Sequence, residues 1–425
     1  MTKKSFLNTT KTYLKSSYIK INFCRFCKSK KISNVINLGN QYLTGIFPEK
    51  KNRKITKGPL IVSFCKDCHL LQLRHSYNLK ELYGDNYGYR SSLNKSMINH
   101  LKKKFLYLKK EYNLKKSDLI IDIGSNDGTF LSFFSNFKNL IGIDPTIKKF
   151  SRYYKNNIKK IPQFFSSEVL KKNNVFQKAK LITSISMFYD LEDPIKFVSD
   201  IKNSLDQDSV WHFEQSYMPS MIKQYSYDTI CHEHLEYYSL TIVCKILKKC
   251  NMRVLDVQLN EINGGSFSVT ASHKNSRYKS NSHIIKKLIN EEKILGFDKI
   301  EIYKKFNNKI KRSKKELFHL LSDLKSQNKK VLGYGASTKG NVILQYCDIN
   351  SKLIKNIYEV NEDKFNKYTP GTKIKILSDE KISKKNCDFL LVLPWHFKDF
   401  ILKKEKKIIK QGIKFIFPLP RIEIV

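Results

Sequence analysis

DLIIDIGSNDGTFL, residues 118 to 131, is the stretch that decides the fold of this chain of 425 residues. Its apolar run, residues 120 to 123, predicts a buried parallel strand, and the glycine-bracketed turn after it lets backbone pass close to a ligand before the next helix begins. LIGIDP then places Asp144 about one strand–helix–strand unit later, at the end of the next strand. Because apolar strands go on alternating with helix-like segments to roughly residue 274, the sequence predicts a Rossmann-like α/β domain with a parallel sheet.

An acid at each of these strand ends predicts a pocket for an adenosine-bearing cofactor. Asp144 stands where a carboxylate can accept hydrogen bonds from both ribose hydroxyls. The loop lacks the GxGxxG of nicotinamide-binding folds and has Asp122 just before its turn, so S-adenosylmethionine, whose sulfonium needs no diphosphate cradle, fits better than NAD. The alternative is another doubly wound domain in which the glycines only make a tight turn. The residues expected to contact the cofactor are Asp122, Gly124, Asn126 and Gly128 at its methionine end, Asp144 at the ribose, and Glu168, Met187 and Phe188 near the adenine and the fourth strand.

The formal net charge of +41 would ordinarily indicate a polyanionic partner. Only nine of the 79 basic residues are arginine, however, and Lys, Asn, Ile, Tyr and Phe are abundant throughout while glycine is scarce. This pattern favours a compositional bias spread over solvated surfaces rather than a nucleic-acid-binding face. We therefore expect no nucleic acid partner.

Four of the nine cysteines form two CxxC pairs, CRFC at residues 24 to 27 and CKDC at residues 65 to 68. Two such pairs can close a tetrahedral zinc site. A site of four thiolates leaves no position open for water, so we expect Zn²⁺ to have a structural role here. Four unrelated buried cysteines are the alternative. The expected metal ligands are Cys24, Cys27, Cys65 and Cys68.

An odd number of cysteines does not suit a fully paired disulfide framework and is typical of a reducing compartment. The N-terminal stretch MTKKSFLNTTKTYLKSSYIK is positively charged but has no continuous apolar core of signal-peptide length. No apolar run approaches the roughly 20 residues that a bilayer requires. We expect a cytoplasmic protein without membrane association.

Changes in composition along the chain predict an α/β protein of three domains. Residues 1–82 are expected to form a small zinc-binding domain, and residues 83–282 the cofactor domain. Leucines and isoleucines at three-and-four spacing across residues 283–328 predict a connector of amphipathic helices. Residues 329–425 are expected to form a second Rossmann-like α/β domain, which opens with KKVLGYGASTKGNVILQYC.

YDTICHEHLEYYSL, residues 227 to 240, is a second concentration of reactive side chains. The zinc-protease spacing HExxH fails because Glu236 stands where the second histidine is required. Acid–base catalysis fits better, since a histidine titrates near neutrality and nearby tyrosines can donate to a developing oxyanion. A surface helix start with ordinary polar residues is the alternative.

Two glycine-rich turns are weaker signals. NGGS at residues 263 to 266 could let backbone approach a ligand, although most such tetrads are hairpin turns. GYGASTKG at residues 333 to 340 lies between a strand and a helix, and the helix N-terminus with Lys339 and two hydroxyls would suit a diphosphate. It is not a Walker loop, and it can also be read as a purely structural turn.

Taken in order, these motifs resemble the three-domain sugar C-methyltransferases, S-adenosylmethionine enzymes that act on nucleotide-linked keto-deoxysugars. The likeness covers nearly the whole chain and implies a zinc-binding module, a central Rossmann-like class I methyltransferase domain and a C-terminal Rossmann-like α/β domain. The matching segments are CRFC with CKDC, LYGDNYGYRSSLNKSMINHL, DIGSNDGTFL, DTICHEHLEYYSL, NGGSF, GYGASTKGN, PGT at residues 370 to 372 and PWHF at residues 394 to 397.

The resemblance also implies roles for individual residues. His234 matches the general base of the family, with Glu233 and a tyrosine of the YGYRS segment close to the sugar; Tyr89 is the preferred tyrosine and Tyr87 the second choice. The residues expected to bind the sugar nucleotide are Asn263, Ser266, Ser337 and Lys339. The chain departs from the family at Cys231, commonly a tyrosine, and at His396, commonly an asparagine. A thiol is a poorer donor than a phenol, so a catalytic part for that tyrosine is in doubt.

These observations together predict a C-methyltransferase that acts through an enolate. His234 would remove the proton next to a ketone, and Tyr89 or a neighbour would hydrogen-bond the keto oxygen. An O- or N-methyltransferase of another small metabolite is one alternative, which would need no carbon acid and could manage without a strong base. A catalytically inactive protein that binds zinc and nucleic acid is the alternative from another class. We expect a nucleotide-sugar substrate and a monomer.

Overall fold

The computed structural model describes residues 17–84, 87–383 and 385–425. The first 16 residues, on which the expectation about a signal peptide rests, lie outside the described part. The strands are β1 (Tyr18–Lys20), β2 (Ile32–Tyr42), β3 (Lys57–Cys65), β4 (Leu71–Leu73), β5 (His75–Tyr77), β6 (Leu119–Ile123), β7 (Asn139–Ile143), β8 (Ile158–Ile161), β9 (Ala179–Ile185), β10 (Leu205–Ser216), β11 (Glu236–Tyr237), β12 (Met252–Asn260), β13 (Ser266–His273), β14 (Val331–Tyr334), β15 (Asn356–Glu359), β16 (Lys375–Ser378), β17 (Phe389–Val392), β18 (Lys414–Phe417) and β19 (Glu423–Ile424). The α-helices are α1 (Leu79–Leu82), α2 (Lys95–Glu111), α3 (Ile147–Phe150), α4 (Ser167–Lys172), α5 (Pro194–Ser204), α6 (Met218–Lys223), α7 (Leu240–Lys249), α8 (Ser282–Ile294), α9 (Ile300–Ser326), α10 (Thr338–Tyr346), α11 (Lys398–Lys404) and α12 (Lys406–Lys410).

The central sheet has seven strands in the order β12-β13-β10-β9-β6-β7-β8. Strands β6 to β10 run parallel, and β13 lies antiparallel between β10 and β12. All five residues of β6 are buried, as expected of a strand covered on both faces. The strand order reverses between β6 and β9, and ligands of open α/β sheets bind at such a point, beyond the carboxyl ends of the strands.

The N-terminal sheet has the order β11-β4-β3-β2, so it takes one strand from far along the chain. Glu236 of β11 pairs with Gln72 of β4 in an antiparallel register. The segment that carries the histidine cluster therefore runs from the central domain directly into the sheet of the cysteine-rich region.

The C-terminal sheet has the order β16-β15-β14-β17-β18-β19, parallel except for β19. Ser337 caps α10, which follows β14, because its Oγ accepts a hydrogen bond from the backbone amide of Gly340 at 2.9 Å. The two helices of the predicted connector pack on different neighbours. Helix α8 lies against α7 and β12 of the central domain, whereas α9 lies against β2 and β14.

The α/β class, with a Rossmann-like central sheet, a cysteine cluster in the N-terminal region and a C-terminal α/β unit, is confirmed. Across residues 17–84, 87–383 and 385–425, none of the helices combines the length and the apolar character needed to cross a bilayer.

Candidate active site and zinc site

The two CxxC pairs bring their four sulfur atoms within 4.8 Å of one another. The Sγ atoms of Cys24 and Cys68 lie 3.5 Å apart, as do those of Cys27 and Cys65. Four sulfurs placed tetrahedrally at the usual Zn–S distance would be about 3.8 Å apart. The cluster therefore fits Zn²⁺, and its four thiolates fill the coordination shell.

The turn after β6 brings backbone to the carboxyl edge of the central sheet. Gly124 has φ +73°, and a Cβ on it would lie 2.9 Å from Cγ of Met187. Only glycine fits that conformation and that contact without strain. The turn thus leaves room for a ligand to approach the backbone itself.

Two buried carboxylates flank this turn. Asp122 is the penultimate residue of β6, is 3 % exposed and accepts a hydrogen bond from Oγ1 of Thr183 at 2.6 Å. Burial raises the pKa of Asp122 to about 7, and the hydrogen bond from Thr183 opposes the rise. Asp144 follows β7 and accepts from the backbone amides of Asn126 at 2.9 Å and Thr146 at 2.7 Å.

The side chains of the turn bind a neighbouring segment of the chain. Nδ2 of Asn126 donates to the carbonyl oxygen of Tyr89 at 3.2 Å, and Oδ1 of Asn126 accepts from the backbone amide of Ser91 at 3.0 Å. Asp127 accepts from the amide of Ser92 at 3.0 Å. The turn therefore fixes the segment that carries Tyr89, a role that we did not expect for Asn126.

A pocket of about 800 Å³ extends from this edge to the C-terminal domain. It brings together most of the residues singled out from the sequence. Those lining it are Tyr87, Tyr89, Asp122, Gly124, Asn126, Asp144, Glu168, Met187, Glu233, His234, Asn263, Ser337 and Lys339.

Three of the expected site residues lie outside the lining of this pocket. Phe188 is 1 % exposed and packs between Trp211 and Tyr238, with ring centroids 5.0 Å away in each case. Gly128 turns the chain where a Cβ would lie 2.9 Å from the Tyr154 ring, and Ser266 donates from Oγ to the carbonyl of Ile262 at 2.8 Å. All three support the walls of the site from behind.

His234 is held in one tautomer. Its Nδ1 lies 2.7 Å from the carbonyl oxygen of Thr229, which can only accept, so Nδ1 carries the proton and Nε2 keeps its lone pair. The ring packs on Tyr189 with centroids 4.2 Å apart. Burial and, to a lesser extent, the charge of Lys339 lower the pKa of His234 to about 3, and the hydrogen bond to Thr229 opposes the shift. The imidazole is therefore neutral over the physiological pH range.

A pair of carboxyl groups lies in the same part of the pocket. Asp190 accepts from the phenol of Tyr83 at 2.9 Å, while its Oδ1 and Oε2 of Glu233 are buried without a hydrogen-bond partner among the described residues. Burial raises the pKa of both acids, and the charge of Glu233 raises that of Asp190 further. Sequence reasoning missed Asp190, although an acid shortly after the carboxyl end of β9 is a usable signal.

The two candidate tyrosines have different surroundings. Tyr87 packs against Tyr83 with tilted rings whose centroids are 5.7 Å apart. Burial raises the pKa of Tyr87 well above its usual value, and the charges of Asp144, Asp190 and Glu233 add to the rise. Tyr89 is 46 % exposed. Both tyrosines line the pocket, and it is Tyr83 that donates to the carboxyl group of Asp190.

The C-terminal domain contributes a cation to the pocket. Nζ of Lys339 donates to the carbonyl oxygen of Asn263 at 2.6 Å. Burial lowers the pKa of Lys339, and the nearby carboxylate of Asp228 opposes that shift. Asp228 in turn accepts from Nε1 of Trp395 at 2.8 Å. The NGGS turn and the GYGASTKG turn therefore meet at the side of the pocket that holds His234.

Comparison with known protein families divides the chain in the same order. Residues 24–83 match a zinc binding domain, residues 93–257 a methyltransferase domain, and residues 261–420 the family described as the C-methyltransferase C-terminal domain.

Two curated relatives are similar in sequence. The C-methyltransferase NovU of Streptomyces niveus is 28 % identical over 409 residues, which is 95 % of this chain and 97 % of NovU. The tRNA U34 carboxymethyltransferase of Campylobacter lari is 30 % identical over 136 residues, 30 % of this chain and 47 % of that protein. Among solved structures, an S-adenosylmethionine-dependent methyltransferase from Clostridium acetobutylicum is 15 % identical, covers 41 % of this chain and 92 % of its own, and has a TM-score of 0.34.

The family matches and the NovU alignment extend over nearly the whole chain, and they agree with the sheet order and the cysteine cluster. S-adenosylmethionine and zinc, both predicted from the sequence, are confirmed as the cofactors of this fold. The chain belongs to the C-methyltransferases that combine a zinc-binding domain, a methyltransferase domain and the C-methyltransferase C-terminal domain, and it is an S-adenosylmethionine-dependent methyltransferase.

Proposed function

We propose that the enzyme methylates a carbon next to the ketone of a nucleotide-linked keto-deoxysugar. The observation that carries this proposal is the fixed tautomer of His234, whose Nδ1 donates to Thr229 in a pocket shared with the cofactor turn. A neutral imidazole with its Nε2 lone pair free is the form that can remove a proton. Transfer to an oxygen or nitrogen acceptor involves no carbon acid and could proceed without a strong base.

Bound S-adenosylmethionine supplies an electrophilic methyl group. In the proposed reaction, Nε2 of His234 would take the proton from the carbon next to the ketone. The resulting enolate carbon would then bond to the methyl carbon as the methyl–sulfur bond breaks, with S-adenosylhomocysteine as the leaving group. The charge of Lys339 is close enough to lower the pKa of His234. The same ammonium group is suited to stabilise the negative charge that develops on the keto oxygen. Tyr87 or Tyr89 would donate a hydrogen bond to the same oxygen.

We assign the cofactor to the edge of the central sheet. Asp122, Gly124 and the backbone of Asn126 would hold its methionine end, and Asp144 its ribose. Glu168 and Met187 line the pocket farther along the same edge and would border the adenine.

The sugar nucleotide is assigned to the side of the pocket formed by the C-terminal domain. The N-terminus of α10, where Ser337 and Lys339 line the pocket, offers backbone amides and a cation to a diphosphate. Asn263 lines the same side, and Ser266 would act indirectly, by holding the turn at Ile262. Glu233, which is 7 % exposed, would accept a hydrogen bond from a sugar hydroxyl.

Cys231 is the departure that bears most on the choice of sugar. It is fully buried and lines the pocket beside Glu233 and His234. A thiol is smaller than a phenol and donates more weakly, so this position is expected to leave more room beside the sugar ring.

Incubation of the enzyme with S-adenosylmethionine labelled in its methyl group and a panel of 4-keto sugar nucleotides tests the proposal. Mass spectrometry should detect transfer of the label to at least one of these sugars. Label found only on acceptors without a ketone would overturn the proposed substrate class.

A further inference from the structure

We propose that Arg25, inside the first CxxC pair, is a positioning residue for His234, so that the zinc module controls turnover as well as its own folding. The inference rests on the proposed role of His234 as the base. It concerns how that histidine is held, and its hydrogen-exchange test needs no knowledge of the substrate.

The chain after His234 is fixed from two sides. The amide of Leu73, in β4 of the zinc module, donates to the carbonyl oxygen of Leu235 at 2.7 Å. On the other side, the amide of Leu235 donates to the carbonyl oxygen of Tyr189 at 2.8 Å. Glu236 then pairs with Gln72 across the zinc-module sheet. The backbone next to the base therefore moves only if one of these two supports moves.

Arg25 links the metal site to this segment. Its side chain is buried, and its Nη1 donates to the carbonyl oxygen of Leu73 at 2.5 Å, directly where β4 supports Leu235. Nη2 donates to Oγ of Ser76 at 2.8 Å. Nε donates to Oε2 of Glu192 at 3.1 Å and lies 3.9 Å from Oε1 of Glu236. One guanidinium thus joins β4, the catalytic segment and the pocket-lining Glu192.

The position of Arg25 is in turn set by the metal site. Cys24 and Cys27 flank it and are fixed wherever zinc is bound. Its own backbone amide donates to Oε1 of Gln72 at 2.7 Å, and Nε2 of Gln72 donates to the carbonyl oxygen of Phe23 at 2.9 Å. Because a guanidinium is planar and presents its donors in a fixed fork, a displaced backbone would misalign all of these bonds together.

Electrostatics support the same arrangement. Glu236 is 1 % exposed, and the charge of Arg25 acts against the rise that burial causes in its pKa. Both Oε atoms of Glu236 are buried without a hydrogen-bond partner among the described residues, so Nε of Arg25 is the cation that lies beside them. Without Arg25, the strand that begins at Glu236 would lose its nearest cation and shift, and His234 would shift with it.

The test compares zinc-loaded Arg25→Met, Arg25→Lys and Glu236→Gln proteins with the unaltered enzyme. We expect Arg25→Met to lower kcat by about 100-fold, the typical effect of a misplacement of about 1 Å, with little change in KM for S-adenosylmethionine. Arg25→Lys should restore part of the rate. Hydrogen exchange followed by mass spectrometry should be faster in residues 231 to 237 of both Arg25 variants, and also in unaltered enzyme after zinc chelation. Glu236→Gln keeps the size of the side chain. It tests the contact between Arg25 and Glu236 from the other side if Arg25→Met does not fold.

Arg74→Met is the matched control, because Arg74 lies in the same module but its Nη2 donates to Asn22 at 3.2 Å, away from the catalytic segment. It should leave kcat and the exchange of residues 231 to 237 unchanged. The inference is overturned if the Arg25 and Glu236 variants keep normal exchange in that segment, or if exchange rises equally over the whole chain. Failure of the proposed substrate class would leave the exchange results intact, so the two failures are distinguishable.

Discussion

Nδ1 of His234 lies 2.7 Å from the carbonyl oxygen of Thr229, and this single contact sets the protonation pattern of the ring. Since the carbonyl can only accept, the proton is on Nδ1 and the lone pair is on Nε2. The residues between the two partners form a short irregular turn, which brings a backbone acceptor under the histidine. The Nε2 lone pair that the proposed base needs is therefore available before any substrate binds.

Replacement of His234 by asparagine should remove the base and leave the cofactor site intact. We expect kcat to fall by about 10²–10⁴-fold, the usual worth of general-base catalysis, while the Kd of S-adenosylhomocysteine stays within about twofold. Steady-state kinetics and calorimetry measure the two quantities. Near-normal turnover of the variant would exclude His234 as the base.

Cofactor affinity should depend on pH through Asp122. Burial raises the pKa of this carboxyl to about 7, so its charged form predominates above pH 7 and should attract the cationic methionine end. The Kd of S-adenosylhomocysteine should therefore fall by up to about tenfold per pH unit as pH rises toward 7, and then level off. The Asp122→Asn protein should lack this dependence. An identical pH profile for both proteins would contradict the assignment.

The same carboxyl group makes the stability of the fold change with pH in the opposite direction to cofactor affinity. The pKa of Asp122 in the folded protein lies above its ordinary value of 3.8, so the fold favours the protonated carboxyl. The contribution of this group to stability is complete below pH 3.8 and is lost as pH rises through about 7. Bound cofactor should offset that loss, so the melting temperature measured with S-adenosylhomocysteine should gain most above pH 7.

Gly45→Ala should impair turnover from a position in the zinc module. A Cβ on Gly45 would lie 2.4 Å from Oε1 of Glu233, so the carboxylate would have to move away from its place beside the base. We expect kcat to fall by about tenfold to 100-fold, with the Kd of S-adenosylhomocysteine unchanged.

Gly124→Ala serves as the contrast. Its φ of +73° costs an L-residue about 1–2 kcal/mol, so that variant should weaken cofactor binding instead. If both variants changed kcat and the Kd of S-adenosylhomocysteine in the same way, it would be wrong to assign the Gly45 side of the pocket to catalysis and the Gly124 side to the cofactor.

Loss of one zinc ligand should release the metal and destabilise the N-terminal module. Cys68→Ser leaves three thiolates, and zinc content measured by plasma mass spectrometry should drop together with the melting temperature. Cys244→Ser is the control, since Cys244 lies on α7, outside the cluster. Full zinc occupancy in the Cys68 variant would contradict the four-thiolate site.

Much of the fold was predictable because its signals are local. The apolar run into Gly124 gave β6, the CxxC pairs predicted the cysteine cluster, and the three-and-four spacing predicted helices α8 and α9. The motif around His234 could also be recognised, because several ionisable side chains fall within a few residues of sequence.

The remaining features depend on contacts between distant segments. Strand β11 has two residues and forms only because β4 of the zinc module accepts it, so no periodicity marks it. Phe188 is adjacent to the pocket-lining Met187 in sequence, but the chain turns there and buries the ring against Trp211. Asp190 gains its place in the pocket from Tyr83, which lies more than a hundred residues away. Burial of this kind cannot be read from one segment of sequence.

The central claim is that the methyl group is transferred to carbon. Carbon NMR of the product formed from S-adenosylmethionine carrying a ¹³C methyl group and a keto-sugar nucleotide with a ¹³C-labelled ring tests it most directly. The account predicts one-bond coupling between the methyl carbon and the ring carbon next to the ketone. A methyl signal without carbon–carbon coupling, as expected for a methyl group on oxygen or nitrogen, would contradict it.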